Sequence, residues 1–360
     1  AGAGMNARLD RLRELMAAAR CRAFLVTDLA DVRYFCGFSG SNGALLVTGD
    51  SAALATDGRY RTQAASEAPG VDLVITRRLV ADLLGWVRER GVSHVGFDAA
   101  MLTVAAWRRA GDDVPGVELV PVKVAASGLR KVKDSAELAA LRTACRISVD
   151  ALAELVSIPL LGKTEIQVAR ELELLLGLHG APDRAFDSIV AAGPHSAIPH
   201  HQPTERPIAV GDLLKIDFGA LFDGYHADCT RTFIVAAEPE DWQAEIHEVV
   251  ERAQAAGISA LAPGVTGATV DAAARAVIEE AGFGEYFGHG TGHGVGLEIH
   301  EVPFLGASSP DTVDAGVPLT VEPGIYLPEQ GGVRIEDTVL VTDAGVEILT
   351  GFPRNLARIG

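Results

Sequence analysis

Leu213-Leu-Lys-Ile-Asp-Phe-Gly-Ala-Leu-Phe-Asp-Gly-Tyr-His-Ala-Asp-Cys-Thr-Arg-Thr-Phe-Ile234 reads as a β-hairpin. Two β-rich runs meet at Asp223-Gly224, a dipeptide that supplies the positive φ angles of a two-residue turn. Phe222 then faces Tyr225, and counting along the ladder sets Gly219 opposite Asp228. Because side chains alternate with period two, Asp217 and Asp228 become diagonal neighbours on one face, with roughly 7 Å or somewhat less between their Cβ atoms. Two carboxylates at that spacing suit a metal ion, and the missing side chain of Gly219 is expected to leave a gap for it. A bulge at Gly219 would spoil the count.

Outward from the hairpin, Asp134-Ser-Ala-Glu137 is a helix start with a capping box, and Leu138, Leu141, Cys145, Ile147, Val149, Leu152 and Leu155 continue it as an amphipathic helix. Helices are expected at 164–176, with Thr164 and Gln167 as a capping pair, and at 241–256 and 267–281. β-type runs lie at 186–192, 208–236, 317–322 and 333–341. This half is α+β. The preceding half has apolar positions of a helix at Leu9, Leu12, Leu15 and Met16, then short strands at 23–26, 44–47, 52–55, 71–75, 94–97 and 117–120, with helices near 79–90 and 101–110. That mixture is a smaller α/β domain. The expected division is a domain over 5–125, a linker over 126–133 and a second domain over 134–360, the boundary falling between Val124 and Lys133.

At 360 residues the chain is long enough for two cores. Ala1-Gly-Ala-Gly4 ahead of Met5 reads as a vector remnant. With no apolar run near the roughly 20 residues of a membrane span, a soluble, cytoplasmic protein is expected. Cys21, Cys36, Cys145 and Cys229 lack the spacing of a thiolate zinc site and read as buried reduced thiols. The formal charge of -17 argues against a nucleic-acid partner.

Three more residues in the second half have unusual surroundings. His293 lies in His289-Gly-Thr-Gly-His-Gly-Val-Gly296, Glu322 in Thr320-Val-Glu-Pro-Gly-Ile-Tyr326, and Glu336 in Gly332-Val-Arg-Ile-Glu-Asp337. The glycines around His289 and His293 exclude a helix and suggest close backbone approach to a ligand, with His293 on a strand or tight loop. Singly, each residue has an ordinary reading: a capping aspartate, an exposed strand end, hydrogen-bonded histidines, a surface pair between Arg334 and Glu336.

Taken together with Ile198-Pro-His-His201, Ile216-Asp-Phe-Gly219, Ala227-Asp-Cys-Thr-Arg-Thr232 and Gly288–Glu301, these stretches resemble the proline-specific M24B metallopeptidases, the aminopeptidase P and prolidase family with the pita-bread fold. Val32–Gly43 and Thr56-Asp-Gly-Arg-Tyr60 resemble that family's creatinase-type N-terminal domain, which by resemblance covers one side of the cleft and joins in dimer contacts. The resemblance implies two divalent metal ions, with Asp217 on one, His293 and Glu322 on the other, and Asp228 and Glu336 bridging. Four carboxylates and one imidazole form a hard donor set suited to manganese, with cobalt or zinc as substitutes. It also implies hydrolysis by a metal-bridged hydroxide. Glu322 is the implied proton acceptor; His200, His300, Tyr326 and Arg334 match residues that position substrate or stabilise the intermediate, and His289 one that lines the pocket. His195 departs from the family pattern, where Asn is expected, and puts a loop contact in doubt.

The implied activity is removal of an N-terminal residue from peptides with proline second, the aminopeptidase P type. Prolidase, which takes Xaa-Pro dipeptides, is the alternative, since both types use the same ligands. Gly37–Gly43 offers no arginine for a proline carboxylate, while Arg33, Arg59 and Arg61 keep the alternative open. Methionine aminopeptidase normally lacks the N-terminal domain, and a creatinase-like hydrolase does not require the ligands. A non-catalytic binding protein on the same fold predicts erosion of a ligand set that is intact here.

Overall fold

The computed structural model describes residues 2–122 and 126–360; Ala1 and residues 123–125, the start of the expected boundary segment, lie outside the described residues. The chain divides into two compact units, residues 1–130 and 131–360.

The first unit is built on one six-stranded mixed sheet, in the order Asp72–Ile75, Ala52–Thr56, Gly43–Thr48, Ala23–Val26, His94–Asp98, Glu118–Val122. Every residue of the three strands between 23 and 56 is buried, as befits strands covered on both faces. Helices Gly2–Ala18, Leu79–Arg88 and Val104–Asp113 correspond to expected ones. Leu29–Cys36 and Arg61–Glu67 are two more that apolar periodicity does not announce. The former is only 8 residues long, and its ends are set by Asp28, whose carboxylate accepts from the Asp31 N–H, and by Gly37 at φ 84°.

The second unit twice places a helix pair against a sheet, the first antiparallel but for its Arg358–Ile359 edge and the second antiparallel throughout. Ser135–Leu155 and Glu165–Leu178 start at Asp134 and Thr164, each with a complete capping box. Both contribute to one apolar core with the sheet Arg358–Ile359, Cys229–Val235, Leu213–Phe218, Ile189–Ala192. Asp241–Ala260 and Gly267–Glu280 belong with the sheet Glu301–Leu305, Gly292–Gly294, Pro318–Val321, Asp337–Thr342, Gly345–Ile348. The ribbon Gly324–Leu327 with Gly331–Arg334 lies between the last two long strands in sequence. This arrangement of elements is the one expected from the resemblance noted above.

The hairpin keeps the expected register. Asp223 and Gly224 take φ 47° and 78°, Phe222 pairs Tyr225, and Thr230 pairs Asp217 with no residue gained or lost between. The role given to Gly219 needs correction. The space a side chain would take there is filled by protein: a Cβ on Gly219 would sit 1.7 Å from the Ala227 carbonyl oxygen. Its glycine lets the two arms close at the point where the chain passes from one sheet to the other, leaving no gap for an ion. At Gly292, read as allowing close backbone approach to a ligand, the close approach is to a neighbouring strand: a Cβ there would meet the Thr320 carbonyl at 2.0 Å. The glycine run serves strand-to-strand approach around His293.

Gly219→Ala is expected to destabilise the protein by about 1–3 kcal/mol, because a methyl group there forces the hairpin arms apart. Denaturant unfolding checks this; an unchanged midpoint would show that the hairpin yields without cost.

Candidate metal centre

The five expected ligand residues come from five places along the chain. Asp217 is on Leu213–Phe218, Asp228 precedes Cys229–Val235, and His293 is central in Gly292–Gly294. Glu322 follows Pro318–Val321, and Glu336 lies between Gly331–Arg334 and Asp337–Thr342. Backbone bonds tie these segments: the Glu336 N–H donates to the Thr230 carbonyl at 3.1 Å, and the Glu322 N–H to the Thr291 carbonyl at 2.7 Å. All five side chains line one cavity of about 350 Å³. Ligand atoms of Asp228, His293 and Glu336 lie within 4.8 Å of one another.

The imidazole of His293 is oriented from behind. Its Nδ1–H donates to the Gly294 carbonyl at 3.0 Å, leaving the Nε2 lone pair 3.4 Å from Glu322 Oε1 and 3.7 Å from Asp228 Oδ2. Burial pushes the ring down to about 4, so at neutral pH that nitrogen carries no proton to place between itself and the carboxylates. Asp217 Oδ1 is buried with no hydrogen-bond partner. Burial, then the Coulombic repulsion of Glu336, Asp217 and Glu322, holds the Asp228 carboxyl well above its ordinary range. Glu336 is raised in the same way, and Glu322, chiefly by burial, is pushed up to about 7. An unprotonated nitrogen and crowded carboxylates facing one space form a site short of positive charge. The donor set fits divalent cations, and Asp217, Asp228, His293, Glu322 and Glu336 are the residues that would hold them.

Around this centre, His200, His289, His300 and Arg334 also line the cavity. The His300 ring stands edge-on to His293, with centroids 4.4 Å apart. Arg334 is almost fully buried: its guanidinium pairs with Asp217 and donates to Thr230 Oγ1 at 3.2 Å and to the Pro199 carbonyl at 3.1 Å. Hence the surface ion pair between Arg334 and Glu336 is replaced by a buried one with Asp217. Tyr326 stands one layer back from the cavity wall. Its oxygen accepts from Arg334 at 2.8 Å, and its O–H donates to His289 Nε2 at 2.8 Å, while His289 Nδ1–H donates to the Gly290 carbonyl at 2.8 Å. Burial lowers His289 to about 4 and raises Tyr326 to about 12, so this relay stays neutral at physiological pH.

Several residues the motifs did not mark hold the centre in place. Thr230 Oγ1 donates to Glu336 Oε2 at 2.6 Å. Arg231, wholly buried, pairs with Asp337 at 2.7 Å and donates to the Glu336 carbonyl and to carbonyls of Thr350, Phe352 and Pro353. Alternation along Cys229–Val235 could have pointed Thr230 toward Asp228; nothing local predicts Arg231's partners, which are over 100 residues away. A second group, Glu165 with His195 and His201, also has coordination-like spacing. Both Glu165 oxygens are already engaged, Oε1 by the Ala192 N–H and His195, and Oε2 by His201 and Thr204. The loop contact left open at His195 is therefore this one.

Comparison with known proteins agrees with this geometry. The profile of metallopeptidase family M24 matches residues 139–343, and that of the creatinase/prolidase N-terminal domain matches residues 8–132. An uncharacterised peptidase of Bacillus subtilis is 39% identical over 350 residues, covering 97% of this chain and 99% of its own. The solved Xaa-Pro dipeptidase from Bacillus anthracis is 38% identical with TM-score 0.94, covering 99% of this chain and 100% of that one. The X-Pro aminopeptidase from Thermotoga maritima is 34% identical with TM-score 0.91, at 98% and 99% coverage.

A carboxyl whose folded pKa lies above its unfolded value stabilises the fold while protonated, and that contribution is lost as pH rises through the folded pKa. For Glu322, pushed to about 7 from an unfolded value of about 4.3, the loss falls between those two values in the metal-free protein. Cations that displace these protons therefore bind more tightly as pH rises. Manganese added to the chelated protein is expected to raise Tm more at pH 8 than at pH 5.5, with proton release in calorimetry. Equal rises and no proton release would mean that the ion binds elsewhere.

Proposed function

The chain belongs to metallopeptidase family M24, and on that premise we propose that it is a metal-dependent exopeptidase hydrolysing Xaa-Pro bonds at the N-terminus of peptides, of the aminopeptidase P type. The observation that carries the reading is the convergence of four carboxylates and one unprotonated imidazole nitrogen in a single cavity beside His200, His289, His300 and Arg334. Manganese is the ion assigned here, because the donors are hard and oxygen-rich.

Bound divalent metal supplies Lewis acidity, which acidifies a coordinated water and polarises the scissile carbonyl. The protein's own groups do the rest. Glu322 accepts the proton of the attacking water and returns it to the proline nitrogen. That return is required because the C–N bond of the tetrahedral intermediate breaks only once its nitrogen is protonated. Arg334 pairs with the Asp217 side chain and fixes its place in the cavity wall. His200 and His300 are within the cavity wall and supply N–H groups for the substrate carbonyl and for the developing negative charge. Phe186, Ile189 and Ile299 give the wall apolar surface for a proline ring.

Among the described residues lining the cavity, Arg334 is the one Lys or Arg, and Asp217, Tyr326 and the Pro199 carbonyl engage it. A dipeptide would bring the proline carboxylate into this wall without a free cation to meet it, which favours longer peptides. The Xaa-Pro dipeptidase reading is favoured instead by the name of the Bacillus anthracis relative.

Hydrolysis of Ala-Pro, Ala-Pro-Ala and a longer Xaa-Pro peptide, after chelation and manganese supply, separates the two. The longer peptides are expected to be cleaved at Xaa-Pro; turnover of Ala-Pro alone would establish the dipeptidase instead. Asp228→Ala should bring turnover of every substrate to background together with loss of bound metal. Unchanged turnover in that variant would refute the site.

A further inference from the structure

His200 is carried on an irregular segment, and the structure holds that segment at both ends by groups that never reach the cavity metal ligands' own positions. On its N-terminal side stands Lys215, on the same strand and the same face as Asp217, and 0% exposed. Its Nζ donates to the carbonyls of Ser196 at 3.1 Å, Ile198 at 2.7 Å and Pro199 at 3.4 Å, the three being the last anchored oxygens before His200. On the C-terminal side stands Glu165, also 0% exposed, at the first turn of Glu165–Leu178. Its Oε2 accepts from His201 Nε2 at 2.9 Å and from the Thr204 N–H and hydroxyl at 2.9 and 2.7 Å. Its Oε1 accepts from the Ala192 N–H at 2.8 Å and from His195 Nδ1 at 2.9 Å, where the segment begins.

We propose that Lys215 and Glu165 are a two-ended clamp that positions His200 over the metal centre. Burying a lysine and a glutamate is costly, and each is retained with its hydrogen-bonding capacity directed almost wholly at this one segment. Each faces donors or acceptors that all lie within the 13 residues 192–204. Lys215 also joins the clamp to the neighbouring machinery: its Nζ lies 5.0 Å from the centroid of the Tyr326 ring, and it shares the Pro199 carbonyl with Arg334. His200 itself is exposed to the cavity, so the anchors on either side of it are what hold its backbone. Lys215 and Glu165 are positioning residues; neither touches substrate.

The inference rests on the reading of His200 as a substrate contact, and a double-mutant cycle keeps the two apart. His200→Ala, Lys215→Met, Glu165→Gln and the pairs with His200→Ala are compared on Ala-Pro-Ala and Ala-Pro in manganese-loaded protein, with metal content measured for each. Lys215→Met and Glu165→Gln are expected to retain their metal and to lower kcat/KM by about tenfold to a hundredfold, the scale of one or two lost buried hydrogen bonds to charged groups. In the His200→Ala background the same changes should cost about twofold or less, because the residue they position is gone. An equal loss in both backgrounds overturns the clamp, since the changes then act on the site at large. No loss from either single change, with His200→Ala itself slow, overturns the clamp and leaves the function standing. A fully active His200→Ala removes the premise and the clamp with it. Should Lys215→Met fail to fold, Glu165→Gln and His201→Gln test the other end by the same cycle.

Discussion

Four carboxylates, Asp217, Asp228, Glu322 and Glu336, are forced into one buried space, and the second unit is organised around making that arrangement tolerable. Burial first, and then the repulsion within the cluster, drives Asp228, Glu322 and Glu336 toward their protonated forms when no cation is present. The same charge excess is what bound divalent cations would neutralise.

The frame has to resist that repulsion in the meantime. It does so with strands and buried ion pairs. Asp217 and Thr230 are held in register across the hairpin, and Thr230 then fixes Glu336 through its hydroxyl. Arg231 and Asp337, flanked by Arg354 and Gln254, bind the strand of Asp228 to the segment of Glu336 and to the chain near its end. A buried pair of this kind contributes little net stability compared with apolar packing, and its value lies in specifying one geometry. Breaking either partner would leave a buried charge without compensation.

Around the centre the neutral groups are kept neutral. His289 and His293 are pushed to about 4 and Tyr326 to about 12, all by burial first. The consequence is a cavity in which the His289 and His293 imidazoles act as donors or acceptors according to their tautomers. The family includes both an Xaa-Pro dipeptidase at 38% identity and an X-Pro aminopeptidase at 34%.

The order of elements, the capping boxes at Asp134 and Thr164, the Asp223-Gly224 turn and the register that sets Asp217 across from Thr230 were legible in the amino-acid sequence, because each depends on residues near one another in the chain. The motifs around His293, Glu322 and Glu336 were legible as well, as a resemblance. Two short helices were not, since their stripes are too brief for periodicity. Gly219 could be seen to lack a side chain, but only the folded hairpin shows that the Ala227 carbonyl takes the space. Likewise Arg334 could be read as pairing with Glu336 along the strand, and the tertiary fold gives it Asp217, 117 residues distant. Arg231 and Glu165 also find their partners in distant segments, Arg231 at Asp337 and Glu165 at His195, His201 and Thr204. Local preferences are written in sequence neighbours; the partners that neutralise a buried charge arrive from distant strands, and only the packed structure decides which they are.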